Sequence, residues 1–175
     1  SYTVATRMEN ILMIPIIGIQ NTMATFAGQN MGARQPERVS KGLGQGVLVS
    51  LFMTAALCVC QLLGMELIIR AFKLDAAAAA ICRQHLFASV LSEPIFAIYF
   101  PANGMFQGVG EGFHATFYAL MALGLRVVFA YSLYRTAFFG YTAIWWSQAM
   151  AWSLTLVTCY AHFFRGKWKE KSLVS

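Results

Sequence analysis

The chain is strongly apolar and carries few charges for its size. It has 175 residues, of which 58% are apolar and 11% charged, and 13 Lys+Arg against 7 Asp+Glu give a net charge of +6. Soluble domains are about 25% charged, so a chain with less than half that fraction cannot cover a globular surface with solvated groups. The composition argues against a soluble enzyme, and against a disordered segment, in which charge is high and hydrophobicity low.

Long uncharged stretches predict helices that cross a bilayer. Residues 10–33, 42–65 and 136–164 contain no Asp, Glu, Lys or Arg, and each exceeds the roughly 20 apolar residues that a spanning helix needs. Two more stretches qualify if one charge is allowed in each, Glu93 and Arg126. We therefore predict an all-α integral membrane protein with five spans, at about 10–33, 43–69, 84–104, 113–134 and 139–164, and a basic tail at 165–175. Continuous apolar runs favour helices over the alternating strands of a membrane barrel.

Basic residues at the ends of these spans predict the orientation. One side would hold Arg34, Arg38, Lys41, Arg165, Lys167, Lys169 and Lys171, and the other Arg7, Arg70, Lys73, Arg83 and Arg135. The richer side is expected to be cytoplasmic, which places the C-terminus in the cytoplasm. Trp168, beside Lys and Arg, is interpreted as a headgroup-level anchor or part of a surface tail, and the net charge is not taken as a sign of nucleic-acid binding.

Small residues recur at the end of the first span. Ala24, Gly28 and Gly32 are spaced by four, which predicts one helix face that lets a neighbouring helix approach closely. Gln29 and Asn30 are expected to bond across helices or to loop carbonyls. A simple helix end without a further role is the alternative.

Glu93 is the strongest candidate for function. It lies near the middle of the third predicted span, where a charged side chain costs about 2.5–3.5 kcal/mol on insertion scales. It should therefore face the bundle interior or a wet cavity, where it could exchange a proton or hold a cation. Pro94 follows it and removes the helical donor of the Val90 carbonyl. The alternative is a structural carboxylate paired with Arg126.

Residues near Glu93 are candidates for a substrate cavity. Phe96 and Phe100 lie three and seven positions after Glu93, on its helix face, and Tyr99 is close to that face. Aromatic faces attract organic cations by about 0.5–2 kcal/mol each, although ordinary packing explains any single ring. Gln20, near the middle of the first span, would line the cavity or bond between helices.

Other features are discounted. The four cysteines have no zinc-site spacing. We expect His85, His114 and His162 to form no cluster with one another or with a candidate Ser or Cys nucleophile, so we expect neither a metal site nor a catalytic triad. No cofactor is expected. Glu66 and Arg70 are predicted to form an i,i+4 pair at the end of the second span.

Four motifs in order resemble the MATE (multidrug and toxic compound extrusion) family. They are Gly28-Gln29-Asn30-Met31-Gly32-Ala33 before a basic loop, Gly104-Met105-Phe106-Gln107-Gly108-Val109-Gly110-Glu111, Leu125-Arg126-Val127-Val128-Phe129-Ala130-Tyr131, and Gly140 to Trp146. They are similar to the end of helix eight, the turn after helix ten, a stretch of helix eleven and the start of helix twelve. Gln107 and Val128 depart from the Arg and Pro common there, and Thr142-Ala143 departs from the last motif.

The resemblance implies helices eight to twelve of a C-terminal six-helix lobe. The N-terminal lobe and helix seven would then be missing partners within a longer protein in the bacterial inner membrane. The implied function is export of small organic cations in exchange for protons or sodium ions, with no enzymatic activity. In sodium-coupled members an acidic ligand lies on helix ten, at a position that falls nearer Phe96 here, so Glu93 would be a displaced equivalent or a neighbour.

Two other functions fit the same composition. A lipid-linked oligosaccharide flippase shares the architecture but should place several cations in its cavity, where only Arg126 is available here. A non-transporting membrane scaffold would be complete as it stands.

Overall fold

The computed structural model describes residues 2–71, 76–134 and 143–170, and the side chains of 13–67, 69–71, 76–134 and 145–169. Five helices occupy these ranges: α1 (Tyr2–Gly32), α2 (Pro36–Ala71), α3 (Ala76–Gly108), α4 (Gly112–Tyr134) and α5 (Ala143–Arg165), followed by a 3-10 turn at Lys167–Glu170. The predicted loop 135–140, the first residues of the fifth predicted span and the end of the tail lie outside the described residues.

All five described helices are long enough to cross a membrane, and three of them are also apolar enough. Each has at least 23 residues and is thus roughly 34 Å or more long, against a hydrocarbon core of about 30 Å. Within the described residues, α2, α3 and α4 are apolar enough over a sufficient length to cross a membrane. The chain is therefore an all-α membrane protein, and the five spans at their stated boundaries stay a prediction.

Proline and glycine mark the helix ends. Pro36 begins α2, where its missing N–H costs no hydrogen bond. Between α3 and α4 the chain reverses within a few residues, and Gly110 has a φ of 82°, a left-handed conformation that favours glycine. The Glu111 amide donates to the Phe106 carbonyl at 2.8 Å, which closes the turn. This is the tight turn that the repeated glycines at 108, 110 and 112 predict.

Helix α3 is the centre of the bundle. It contacts all four other helices, α1 most extensively, and most of its second half is buried. By contrast, α4 turns many of its apolar side chains outward, among them Leu120, Leu123, Val127 and Val128. An exposed apolar surface of this extent suits contact with lipid.

Trp168 is not a headgroup anchor. Its side chain is fully buried, and its indole N–H donates to the Phe163 carbonyl at 3.0 Å. The ring stacks on Phe163 with the centroids 5.5 Å apart. The left-handed Gly166 (φ 72°) reverses the chain after α5, so the 3-10 turn at Lys167–Glu170 folds back onto the bundle.

An ion pair holds this tail against the other basic segment. Lys169 Nζ lies 3.2 Å from Glu37 Oε1 at the start of α2. The loop after α1 and the tail after α5 are therefore at the same end of the bundle, which agrees with the grouping of basic residues above. Which side of the membrane they face stays a prediction.

Glu66 pairs across helices, contrary to the i,i+4 prediction. Arg83 of α3 donates through Nε at 2.8 Å and through Nη2 at 3.0 Å to the two Glu66 oxygens. A planar guanidinium can hold a carboxylate by two parallel bonds, a geometry that favours Arg83 over Arg70. The pair closes the end of the bundle opposite the tail.

Candidate functional site

Glu93 lies between α2 and α3. Its side chain is 3% exposed, and the Cys58 thiol of α2 donates to Oε2 at 2.7 Å. The carboxylate therefore points into the bundle rather than towards lipid. Cys58 is one partner of Glu93, and it lies on α2, whereas the structural alternative named Arg126 of α4.

Arg126 contacts a different part of α3. It lines a pocket of about 20 Å³, large enough for a water molecule, at the α3–α4–α5 junction. The other lining residues are His85, Ala88, Ser89, Ser92, Trp145 and Gln148. Arg126 and Glu93 therefore lie in two different polar regions of the bundle.

The predicted cavity aromatics pack against α5. Phe96 and Tyr99 are 5% and 1% exposed, and their rings lie 5.3 and 4.9 Å from that of Trp152. Phe100 stacks on the same indole at 6.1 Å. Glu93 contacts Cys58 of α2, whereas the three rings contact Trp152 of α5. A lining role for the rings stays a prediction.

Gln20 takes part in a polar network centred on Asn103. Asn103 lies in none of the four motifs, so the sequence did not indicate it. Gln20 Nε2 donates to Asn103 Oδ1 at 2.8 Å, and Gln107 Nε2 donates to the same oxygen at 2.7 Å. Asn103 Nδ2 donates to Tyr99 Oη and to the Ala115 carbonyl, each at 2.9 Å. The network joins α1, α3 and α4 at a buried amide whose donors and acceptor are all used.

Glycines bring α1 and α3 into backbone contact. A Cβ at Gly104 would meet the Gln20 carbonyl, and a Cβ at Gly108 would meet the Ala24 carbonyl. A Cβ at Gly28 would lie 3.3 Å from the Gly108 carbonyl. This is the close approach that small residues permit in membrane helices.

The remaining residues of the first motif do not extend this contact. Nothing lies within 4 Å of a Cβ built at Gly32, so the predicted small-residue face ends at Gly28. Gln29 and Ala33 are exposed. Asn30 donates to the Phe26 carbonyl of its own helix at 2.7 Å, and not across helices or to a loop carbonyl as predicted.

One family model matches most of the chain. The MatE family model matches residues 1–132, which include α1, α2, α3 and nearly all of α4. The chain belongs to the MatE family. No curated protein and no solved structure was found to match it.

MatE membership establishes the coarse function. The chain is a membrane transporter protein of the superfamily that includes polysaccharide flippases.

The prediction that the histidines are unclustered is wrong for two of the three. The rings of His114 and His162 are 4.6 Å apart, and both lie beside Glu111 in the turn between α3 and α4. His162 is on α5, beyond the residues matched to MatE. Because His162 lies on α5, far along the chain from Glu111 and His114, spacing alone could not have found the cluster.

Proposed function

We propose that the chain is part of a secondary transporter that exports organic cations in exchange for protons or sodium ions, with Glu93 as a coupling carboxylate. The observation that carries the proposal is the burial of this carboxylate inside a helix of membrane-crossing length. Such groups are costly in a membrane and occur mainly where an ion or proton is bound.

The position of Glu93 supports a coupling role. The Cys58 thiol of α2 donates to its Oε2 at 2.7 Å, which places the carboxylate at the contact between α2 and α3. A thiol is a weak donor, so this bond is lost at small cost when the carboxylate takes up a proton or a monovalent cation.

Pro94 leaves a backbone carbonyl oxygen close to Glu93 in the sequence without its helical hydrogen bond. Pro94 lies inside α3, and its missing N–H frees the Val90 carbonyl from helical hydrogen bonding. Carbonyls freed by helix interruptions join carboxylates as cation ligands in transporters. Pro101 lies inside α3 as well, so the same helix has two points at which it can bend during transport.

A lipid-linked oligosaccharide flippase is the second candidate, and the distribution of charge ranks it lower. In the interior of the described helices Arg126 is the cation available to meet a phosphate, and it lies in a pocket of only about 20 Å³. A pyrophosphate-linked sugar needs several cations and a far larger cavity.

A reconstituted transport assay tests the proposal. The full-length transporter that contains this chain is inserted into liposomes loaded with a fluorescent planar organic cation, and a proton or sodium gradient is imposed across the membrane. We expect movement of the cation against its own gradient, abolished by an ionophore that dissipates the driving ion.

Matched liposomes that contain a lipid-linked oligosaccharide serve as the control. Translocation of this lipid without movement of the organic cation would replace the proposal with the flippase. Movement of neither substrate, with correctly inserted protein, would favour a scaffold.

A further inference from the structure

Three potential metal ligands converge at the turn between α3 and α4. Glu111 precedes α4, His114 lies on its first turn, and His162 approaches from the end of α5. Glu111 Oε2 lies 3.3 Å from His162 Nε2 and 3.8 Å from His114 Nδ1. One donor atom from each residue falls within 4.8 Å of the other two.

The orientation of His162 is held by its surroundings. Its Nδ1 lies 2.7 Å from the Tyr118 hydroxyl, and its ring stacks on Phe106 with the centroids 4.9 Å apart. These contacts direct Nε2 towards the carboxylate. A histidine that binds a metal through one nitrogen usually has its other nitrogen held by such a hydrogen bond.

We propose that Glu111, His114 and His162 bind a transition-metal ion of the Zn²⁺ type. Zinc bonds of about 2.0–2.1 Å to nitrogen and oxygen give a ligand–ligand separation of about 3.3 Å in a tetrahedron. The separation between Glu111 and His162 has this value. The donor atom of His114 lies within 4.8 Å of the other two, and its side chain, which is 44% exposed, would rotate towards them to complete the site. Two imidazoles and one carboxylate suit zinc, nickel or copper better than magnesium or calcium.

The fourth coordination position would face an open pocket. This pocket has a volume of about 420 Å³ and is lined by His114, Tyr118, Thr158, Ala161, His162, Arg165 and Lys167. It has room for a water molecule or a small anion, which the two basic residues at the rim would attract. Arg165 and Lys167 are exposed, so water and salt screen their repulsion of the metal ion. The buried carboxylate of Glu111 offsets part of the charge of the metal.

The bound ion would join α5 to the turn between α3 and α4. These elements come from the part of the chain matched to MatE and from the part beyond it. The proposal does not depend on the transported substrate, because the ligands lie about 18 residues or more from Glu93 along the chain, at the end of the bundle near the tail.

Zinc binding to the purified protein in detergent tests the proposal. Titration with Zn²⁺ is followed by calorimetry in a Cys60→Ser background, which removes the one exposed cysteine among the four. We expect one saturable site that excess Mg²⁺ does not compete for. His114→Gln and His162→Gln should each weaken binding at least about tenfold, and Tyr118→Phe by about 10–100-fold through the held imidazole.

His85→Gln is the matched control, since it removes a buried histidine at the far end of α3 and should leave the zinc affinity unchanged. His114 is partly exposed, so its replacement should preserve helix content and elution volume. If zinc affinity is the same in His114→Gln and His162→Gln as in the parent, or if no saturable site is found, the three residues form only an ion-pair cluster and the proposal is wrong.

Discussion

Replacing Glu93 with glutamine is expected to abolish drug resistance in cells that depend on this transporter. Glutamine has nearly the same shape and can still accept the Cys58 hydrogen bond, but it can neither ionise nor release a proton. The bundle should therefore assemble while the exchange of an ion for the drug is lost. Resistance to a planar organic cation, measured beside the amount of protein in the membrane, gives the result.

Three variants separate coupling from structure. Glu66→Gln makes the same chemical change at an exposed carboxylate that pairs with Arg83, and it should leave resistance unchanged. Cys58→Ala removes the thiol but keeps the carboxylate, so it should keep most of the activity. Glu93→Asp should retain part of it. Normal resistance with Glu93→Gln would remove Glu93 from the mechanism.

Adding a methyl group at Gly108 or Gly104 is expected to destabilise the bundle. Each new Cβ would meet a backbone carbonyl of α1, and a backbone atom cannot turn aside as a flexible side chain can. The two helices must then separate along their contact. Overpacking of a tight core costs about 1–3 kcal/mol, so Gly108→Ala and Gly104→Ala should each lower the thermal midpoint in detergent.

Gly124→Ala is the matched control for these variants. Gly124 lies on α4, and nothing lies within 4 Å of its Cβ position. Alanine favours helices over glycine by about 1 kcal/mol, so this variant should unfold at the same or a slightly higher temperature. An unchanged midpoint for Gly108→Ala would show that α1 and α3 do not cross as closely as described.

Several elements of the fold could be predicted because they depend on local sequence. Uncharged stretches indicate which parts of the chain are helical, although α1, α2 and α3 begin about seven or eight residues before the predicted spans. The glycines at 108, 110 and 112 mark the short connection between α3 and α4. Burial of Glu93 could be predicted as well, since an isolated charge in an apolar helix costs less free energy when it faces the bundle interior than when it faces lipid.

Contacts between distant parts of the chain could not be predicted in this way. Trp168 is expected at the membrane interface because basic residues flank it. In the structure Gly166 reverses the chain, and the Trp168 ring stacks on Phe163. Arg83 outcompetes Arg70 for Glu66 because of helix packing. The Glu111–His162 contact needs the end of α5 to lie beside the turn after α3. Each depends on how helices pack, which residue spacing does not encode.

The reaction of Glu93 with a lipid-soluble carbodiimide tests the central claim most directly. Such a reagent adds to protonated carboxyl groups in apolar surroundings, and peptide mass spectrometry locates the adduct. We predict modification of Glu93 that stops transport and that is slowed by the coupling ion or by the transported cation. Labelling confined to exposed carboxylates such as Glu66, or modification of Glu93 without loss of transport, would contradict the account.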